Sequence, residues 1–186
     1  MQLELKNHFL IAMPGMLDAN FADTLTLVCE HSEDGAAGFI VNRPTDIALS
    51  ELLEQQDIKF DPQGRAARMN IYSGGPVDID RGFVVHSPDA LYDDTQRVSE
   101  HLCVTASQAI IEDLAKDKGP DNALFLLGYA GWGGDQLEQE IGENVWLTSE
   151  ADARIVFDLP DEDRCQAAAS KLGIDLSLLN TQAGHA

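Results

Sequence analysis

Four stretches of the chain carry side chains able to do chemistry. Cys29-Glu30-His31 sets a thiol, a carboxylate and an imidazole in a row, and a thiol beside an imidazole can be activated as a nucleophile. Regular strand alternation puts Cys29 and His31 on one face and Glu30 on the other. A thiol packed in the core, with His31 hydrogen-bonding at the strand end, explains the same residues and is preferred. Asn42-Arg43-Pro44 places an arginine in a loop after an apolar segment. Its guanidinium fork suits a carboxylate, either a ligand's or, as preferred here, an internal one such as Glu30 or Glu138. Ser73-Gly74-Gly75-Pro76 offers a hydroxyl and open amides but lacks the G-x-S-x-G elbow of a hydrolase, so it reads as a turn. His8, His86, His101 and His185 form neither H-x-x-x-H nor H-x-H pairs, and no dedicated metal site is expected.

The fourth stretch, GYAGWGGDQLEQEI at 128–141, has the layout of an apolar strand, a glycine-rich turn and a helix start, which cradles phosphates elsewhere. Its details oppose that use. The lysine and Ser/Thr of a P-loop are missing, and Gly128, Gly131, Gly133 and Gly134 do not make G-x-G-x-x-G. Asp135 and Glu138 put carboxylates at the helix start, where they satisfy its positive end and repel phosphate. The preferred expectation is a sharp bend plugged by Trp132, with Leu137 and Ile141 anchoring the helix. The alternative is a site for a neutral or cationic group built from Trp132, Gln136 and Glu138.

The elements that must position these residues follow from pattern. Strands are expected at His8–Ala12, Thr24–Cys29, Gly38–Val41, Met69–Tyr72, Gly82–His86, Arg97–Val104, Ala123–Tyr129, Val145–Thr148 and Arg154–Leu159. Pro44 is expected to end regular structure. Leucine spacing predicts a helix over Ala48–Gln56. Asp57–Arg68 reads as a loop. A second helix starts after Thr105, with Gln108 as capping-box partner, and ends at Gly119-Pro120. A third runs from Asp161 to Leu172, stopped by Gly173, and Leu176–Leu179 adds a turn. The alternation is too irregular for a doubly wound sheet, so the expected class is α+β: a mixed, partly barrel-like sheet flanked by several helices. No repeat or linker divides residues 1–186, which predicts one domain.

Twelve Lys and Arg against 32 Asp and Glu leave a net charge of −20. Nucleic-acid affinity rests on cationic side chains that displace counterions, so direct nucleic-acid binding is not expected, and neither is attachment to an anionic membrane. A basic protein partner is compatible with the charge. MQLELKNHFLIAMPG lacks the basic region and apolar run of a signal peptide, and no stretch is long and apolar enough to span a bilayer. Cys29, Cys103 and Cys165 are odd in number and far apart, which fits a reduced, cytoplasmic setting.

GYAGWGGDQLEQEI followed by NVWL resembles the signature of the YqgE/AlgH family. So do MPGMLDANF at 13–21, CEHSEDGAAGFIVNRP at 29–44, SGGPVD at 73–78 and the terminal GHA. These blocks occur in order over nearly the whole chain. The resemblance implies one α+β domain with a barrel-like sheet, no established enzymatic activity and no cofactor. Some members carry a transcriptional-regulator label without any recognised DNA-binding module. Asp135 stands where the family pattern has glycine, which weakens an anion site there.

Three functions are compatible with these observations. The first, favoured by the acidity, the family and the lack of an assembled catalytic motif, is a non-enzymatic module that acts in regulation through a protein partner. The second is a small-molecule-binding domain or an enzyme, its pocket drawn from His31, Asn42, Arg43, Ser73, Trp132, Gln136 and Glu138. The third, direct DNA regulation, rests on the family label and is opposed by the charge.

Overall fold

Alternation along the first strand, His8–Ala12 (β1), sends Phe9 and Ile11 to one side and Leu10 and Ala12 to the other, and all four are buried. A strand buried on both faces needs cover on both, and the rest of the chain supplies it. The computed structural model describes residues 3–182; the terminal Gly184-His185-Ala186 block lies outside them.

Nine further strands complete one sheet among the described residues: Leu25–Ser32 (β2), Gly35–Ile40 (β3), Pro44–Ala48 (β4), Asn70–Ser73 (β5), Val77–His86 (β6), Gln96–Arg97 (β7), Cys103–Thr105 (β8), Ala123–Gly133 (β9) and Trp146–Glu150 (β10). Their order is β10-β1-β2-β3-β9-β6-β8-β7, with β5 beside β9 and β4 beside β5. Every pairing is antiparallel except β5 with β9. Four strands separate β2 from β7 in this order, yet the Gln96 amide Nε2 donates to Glu30 Oε1 at 2.6 Å. Only a curled sheet brings them together, so the sheet is a half-barrel and the fold is α+β.

Among the described residues six α-helices accompany it: Leu49–Gln55 (α1), Gln108–Ala115 (α2), Gln136–Gly142 (α3), Ala153–Phe157 (α4), Arg164–Ser170 (α5) and Leu176–Gln182 (α6). The concave face holds the main core, where Phe9, Leu27, Phe39, Phe83 and Leu126 meet Ile155 of α4 and Ala168 of α5. On the convex face, α1 and α2 close a second core around Ile71, Val84 and Phe125. There α3 closes a third core around Val28, Trp132 and Trp146.

Several expectations are corrected. The glycine-rich stretch is not a bend: β9 continues to Gly133, and its last residues pair with β3, Gly131 against Ala37 and Trp132 against Ala36. Gly128 and Gly134 serve close backbone approach, whereas Gly131 and Gly133 have room for a side chain. Gly128 has a φ of +77°, and a Cβ there would collide with the carbonyl oxygen of Gly75. It marks the point where β9 passes from pairing with β5 to pairing with β3. Pro44 opens a strand instead of ending structure, which it can do because β4 is paired through β5 alone.

Residues 97–104 are two strands, β7 and β8, folded into a hairpin in which the Val98 amide donates to the Leu102 carbonyl. Arg154–Leu159 lies mostly in a helix. Asp152 accepts from the Arg154 amide and caps it. A helical turn lets the adjacent Ile155 and Val156 both enter the concave core, which a strand would not. Thr105 does not cap α2; that position is Ser107. The Thr105 hydroxyl is instead buried against His86 Nε2 at 2.7 Å and Thr95 Oγ1 at 2.8 Å. Burial lowers the pKa of His86, and its Nδ1 lies 2.8 Å from the Ser87 carbonyl oxygen, so the ring is neutral with Nε2 as acceptor.

Candidate functional site

β9 ends at Gly133, the chain turns at Asp135 in a left-handed conformation (φ +61°), and α3 begins. Leu137 points into the convex core and Trp132 lies beneath the helix, 6% exposed. A buried indole N–H needs an acceptor. Glu140 supplies one for two rings: its Oε2 accepts from Trp132 Nε1 at 3.0 Å and from Trp146 Nε1 at 2.8 Å. Gln136 donates to the other Glu140 oxygen at 3.0 Å and accepts from the Gly133 amide at 3.0 Å, tying the helix start to the strand end. The plug expected of Trp132 is therefore present, while the turn falls at Gly134-Asp135, after the strand that holds the tryptophan.

His31 reaches the same helix. Its Nδ1 accepts from the Leu5 amide at 3.2 Å, so the neutral ring carries its proton on Nε2. That nitrogen donates to Glu138 Oε1 at 2.5 Å. Burial acts to raise the Glu138 carboxyl, but its own amide and His31 outweigh it and hold the group below the usual range. Cys29 is on the opposite face. The register between β2 and β3 slips between Val28 and Glu30, and this bulge overturns the expected alternation. Cys29 packs in the concave core, whereas His31 bonds on the convex side. Burial pushes the Cys29 thiol far above its ordinary value and Cys165 up to about 12. Neither is an activated nucleophile.

Asn42, Arg43 and Ser73 form a second group. Arg43 finds no carboxylate partner: its guanidinium donates to the carbonyls of Asn20 at 2.7 Å, Ala22 at 2.9 Å and Ala19 at 3.5 Å. Glu30 and Glu138, its expected partners, are held by Gln96 and His31 instead. Asn42 accepts from the Leu25 amide at 2.8 Å and donates to the Asp23 carbonyl at 3.0 Å. Ser73 meets Arg43 through the backbone, amide to carbonyl, at 2.9 Å.

Both groups border one loop, residues 13–24. From one side Arg43 and Asn42 grip its carbonyls. From the other, Phe21 packs on Trp132 (centroids 6.0 Å apart) and edge-on against Trp146 (5.5 Å). Within it, Phe21 and Ala22 amides donate to the Asp18 carbonyl. These contacts hold residues 18–24, and Leu17, just before them, is 99% exposed. The four-residue spacing puts Gln136 and Glu140 on one helix face, as found, but pattern reasoning missed Glu140's hold on the two indoles, and it missed Leu17 and Phe21; for Leu17 nothing in the local sequence distinguishes an exposed leucine from a buried one.

Among the described residues no cluster of three or more His, Cys, Asp or Glu side chains is arranged to hold a metal ion. No helix among them is long and apolar enough to cross a membrane.

A family model described as AlgH-like matches residues 9–177. A UPF0301 protein of Thioalkalivibrio sulfidiphilus is 52% identical over 97% of this chain and 96% of its own length. The UPF0301 protein AlgH of Pseudomonas aeruginosa is 50% identical over 98% of this chain and 96% of its own length. The solution structure of AlgH from Pseudomonas aeruginosa superposes with a TM-score of 0.80 at 48% identity, covering both chains fully. A crystal structure from Corynebacterium diphtheriae shares the fold, with a TM-score of 0.74 at 21% identity over 96% of this chain and 93% of that one.

Proposed function

The chain belongs to the AlgH-like family, and from that premise we propose that it is a non-enzymatic module of the cytoplasm that acts in regulation through a protein partner docking on the 13–24 loop. One observation carries this reading: a fully exposed leucine stands just before a segment that three backbone-carbonyl bonds from Arg43 and an aromatic cluster hold in place. A braced flank limits the conformational freedom that an apolar anchor loses when it enters a partner's pocket. The residues with chemical potential support the same reading. His31 is bonded to Glu138 and the Leu5 amide, Trp132 and Gln136 to Glu140, and Asn42 and Arg43 to loop carbonyls and a strand amide. Direct DNA binding remains opposed by the charge of −20.

The test is capture from native lysate with intact protein and with Leu17→Asp. One defined protein is expected to be retained at near-stoichiometric yield by intact chain and lost with the variant. The variant's own stability should shift by less than about 0.5 kcal/mol, as for other surface substitutions. Identical captured sets from the two proteins would contradict the docking role of the loop.

A further inference from the structure

Around the mouth of the half-barrel the concave core is not filled. A cavity of about 450 Å³ opens there, within the range of small-molecule sites. Three aromatic rings line it: Phe39 and Phe83, with centroids 4.9 Å apart, and Tyr129, edge-on to Phe83 at 6.0 Å. Two carboxylates stand on its rim. Glu30 accepts from Gln96 and Asp94 accepts from the Ala106 amide at 2.8 Å. Gln96, Ala106 and Ser107, the donors that meet these two carboxylates, are neutral, so the pair keeps its charge. Arg81 is also on the rim, with its guanidinium carbon 4.9 Å from the centroid of the Phe83 ring. It gets there because β6 slips register between Val77 and Gly82, which bulges residues 78–81 away from β9.

We propose that this mouth binds a small organic cation with an aromatic body. Ring faces carry partial negative charge and attract cations, and carboxylates beside them strengthen the attraction. The guanidinium of Arg81 marks the place: an exposed side chain of the protein rests where the ligand's ammonium would sit, and it swings out when the ligand enters. The ligand's body then lies against Phe39, Phe83 and Tyr129. An anion is disfavoured by Glu30, Asp94 and the chain's net charge of −20. The larger cleft, about 820 Å³ beside α4, is a weaker candidate. Its Arg154 is engaged by Asp152 and its Lys171 by the Glu150 carbonyl.

Tryptamine and indole-3-acetate, which present similar rings with opposite charges, test this by amide chemical shifts of the full chain. Tryptamine is expected to move the amides of Ala37, Gln96 and Ala106, and indole-3-acetate to leave them in place. Glu30→Gln with Asp94→Asn removes the charge but preserves shape and acceptors, and should weaken tryptamine about tenfold. Arg81→Ala should tighten it several-fold by removing both the resident cation and its repulsion. The proposal is overturned if millimolar tryptamine leaves those amides unmoved, if indole-3-acetate binds as well, or if the double variant binds tryptamine unchanged. Weaker binding to Arg81→Ala would likewise overturn it.

Discussion

Two regions of this molecule are rich in aromatic rings and carboxylates, and they use them in opposite ways. Under α3, on the convex face, Glu140 is closed over the two indoles and Glu138 over His31. At the concave mouth, Glu30 and Asp94 are met by neutral donors and face an open cavity floored by Phe39 and Phe83. The same residue types are thus scaffold in one place and open surface in the other. What separates them is what the carboxylates face: buried ring N–H groups under α3, an open cavity at the mouth.

The comparison is sharpened most by Glu140→Ala. It strands two buried indole N–H groups, and should cost about 2–4 kcal/mol, on the order of 5–10 °C in Tm for a chain of this size. A loss below about 1 kcal/mol in denaturant titration would mean that the indoles do not depend on Glu140. The mouth provides the contrast: Glu30→Gln should leave Tm nearly unchanged, since glutamine still accepts from Gln96.

Arg43→Ala ranks next. It releases the carbonyls of Asn20 and Ala22 at a cost of about 1–2 kcal/mol. Its more telling readout is hydrogen exchange, which should accelerate in residues 16–22 while β9 stays protected. Uniform exchange throughout the chain would show that Arg43 supports the whole fold and not this loop.

The smallest effect concerns acid. The folded Glu138 carboxyl is held below its ordinary value of 4.5, so the folded state binds its proton less readily than the unfolded chain. Its contribution is present above pH 4.5 and disappears as pH falls through the lower folded value. Glu138→Gln should therefore lower stability slightly at neutral pH and flatten the acid limb in that window, the two curves converging at low pH. An unchanged acid limb would show that the His31 pair carries no linkage.

Much of the strand layout was legible, because alternation and β-branched runs signal β1, β2, β5 and β10 directly. The stretch 128–134 was not. Four glycines signal a turn when neighbours in sequence are all one can see, but Gly128 answers to Gly75, which lies on a different segment of the sheet. The Val28/Glu30 bulge was likewise invisible and reversed the faces of Cys29 and His31. At the site, Trp132 stood out as an aromatic among glycines, Gln136 and Glu138 through their place at a helix start, and Arg43 through its place after a strand. Its partners were beyond reach because backbone carbonyls leave no mark on residue identity. The cavity at the mouth was hidden for a related reason: its rings and carboxylates come from β2, β3, β6, β9 and the segment before β7, and only the curl of the sheet assembles them.

The most direct measurement is a hydrogen-exchange footprint of the chain in complex with the protein captured by its intact form. Slowed exchange concentrated in residues 13–24, with the mouth of the half-barrel unaffected, is the predicted result. Protection confined to other surfaces, with the loop exchanging at the rate seen in the free protein, would contradict the assignment of Leu17 and its loop as the docking element.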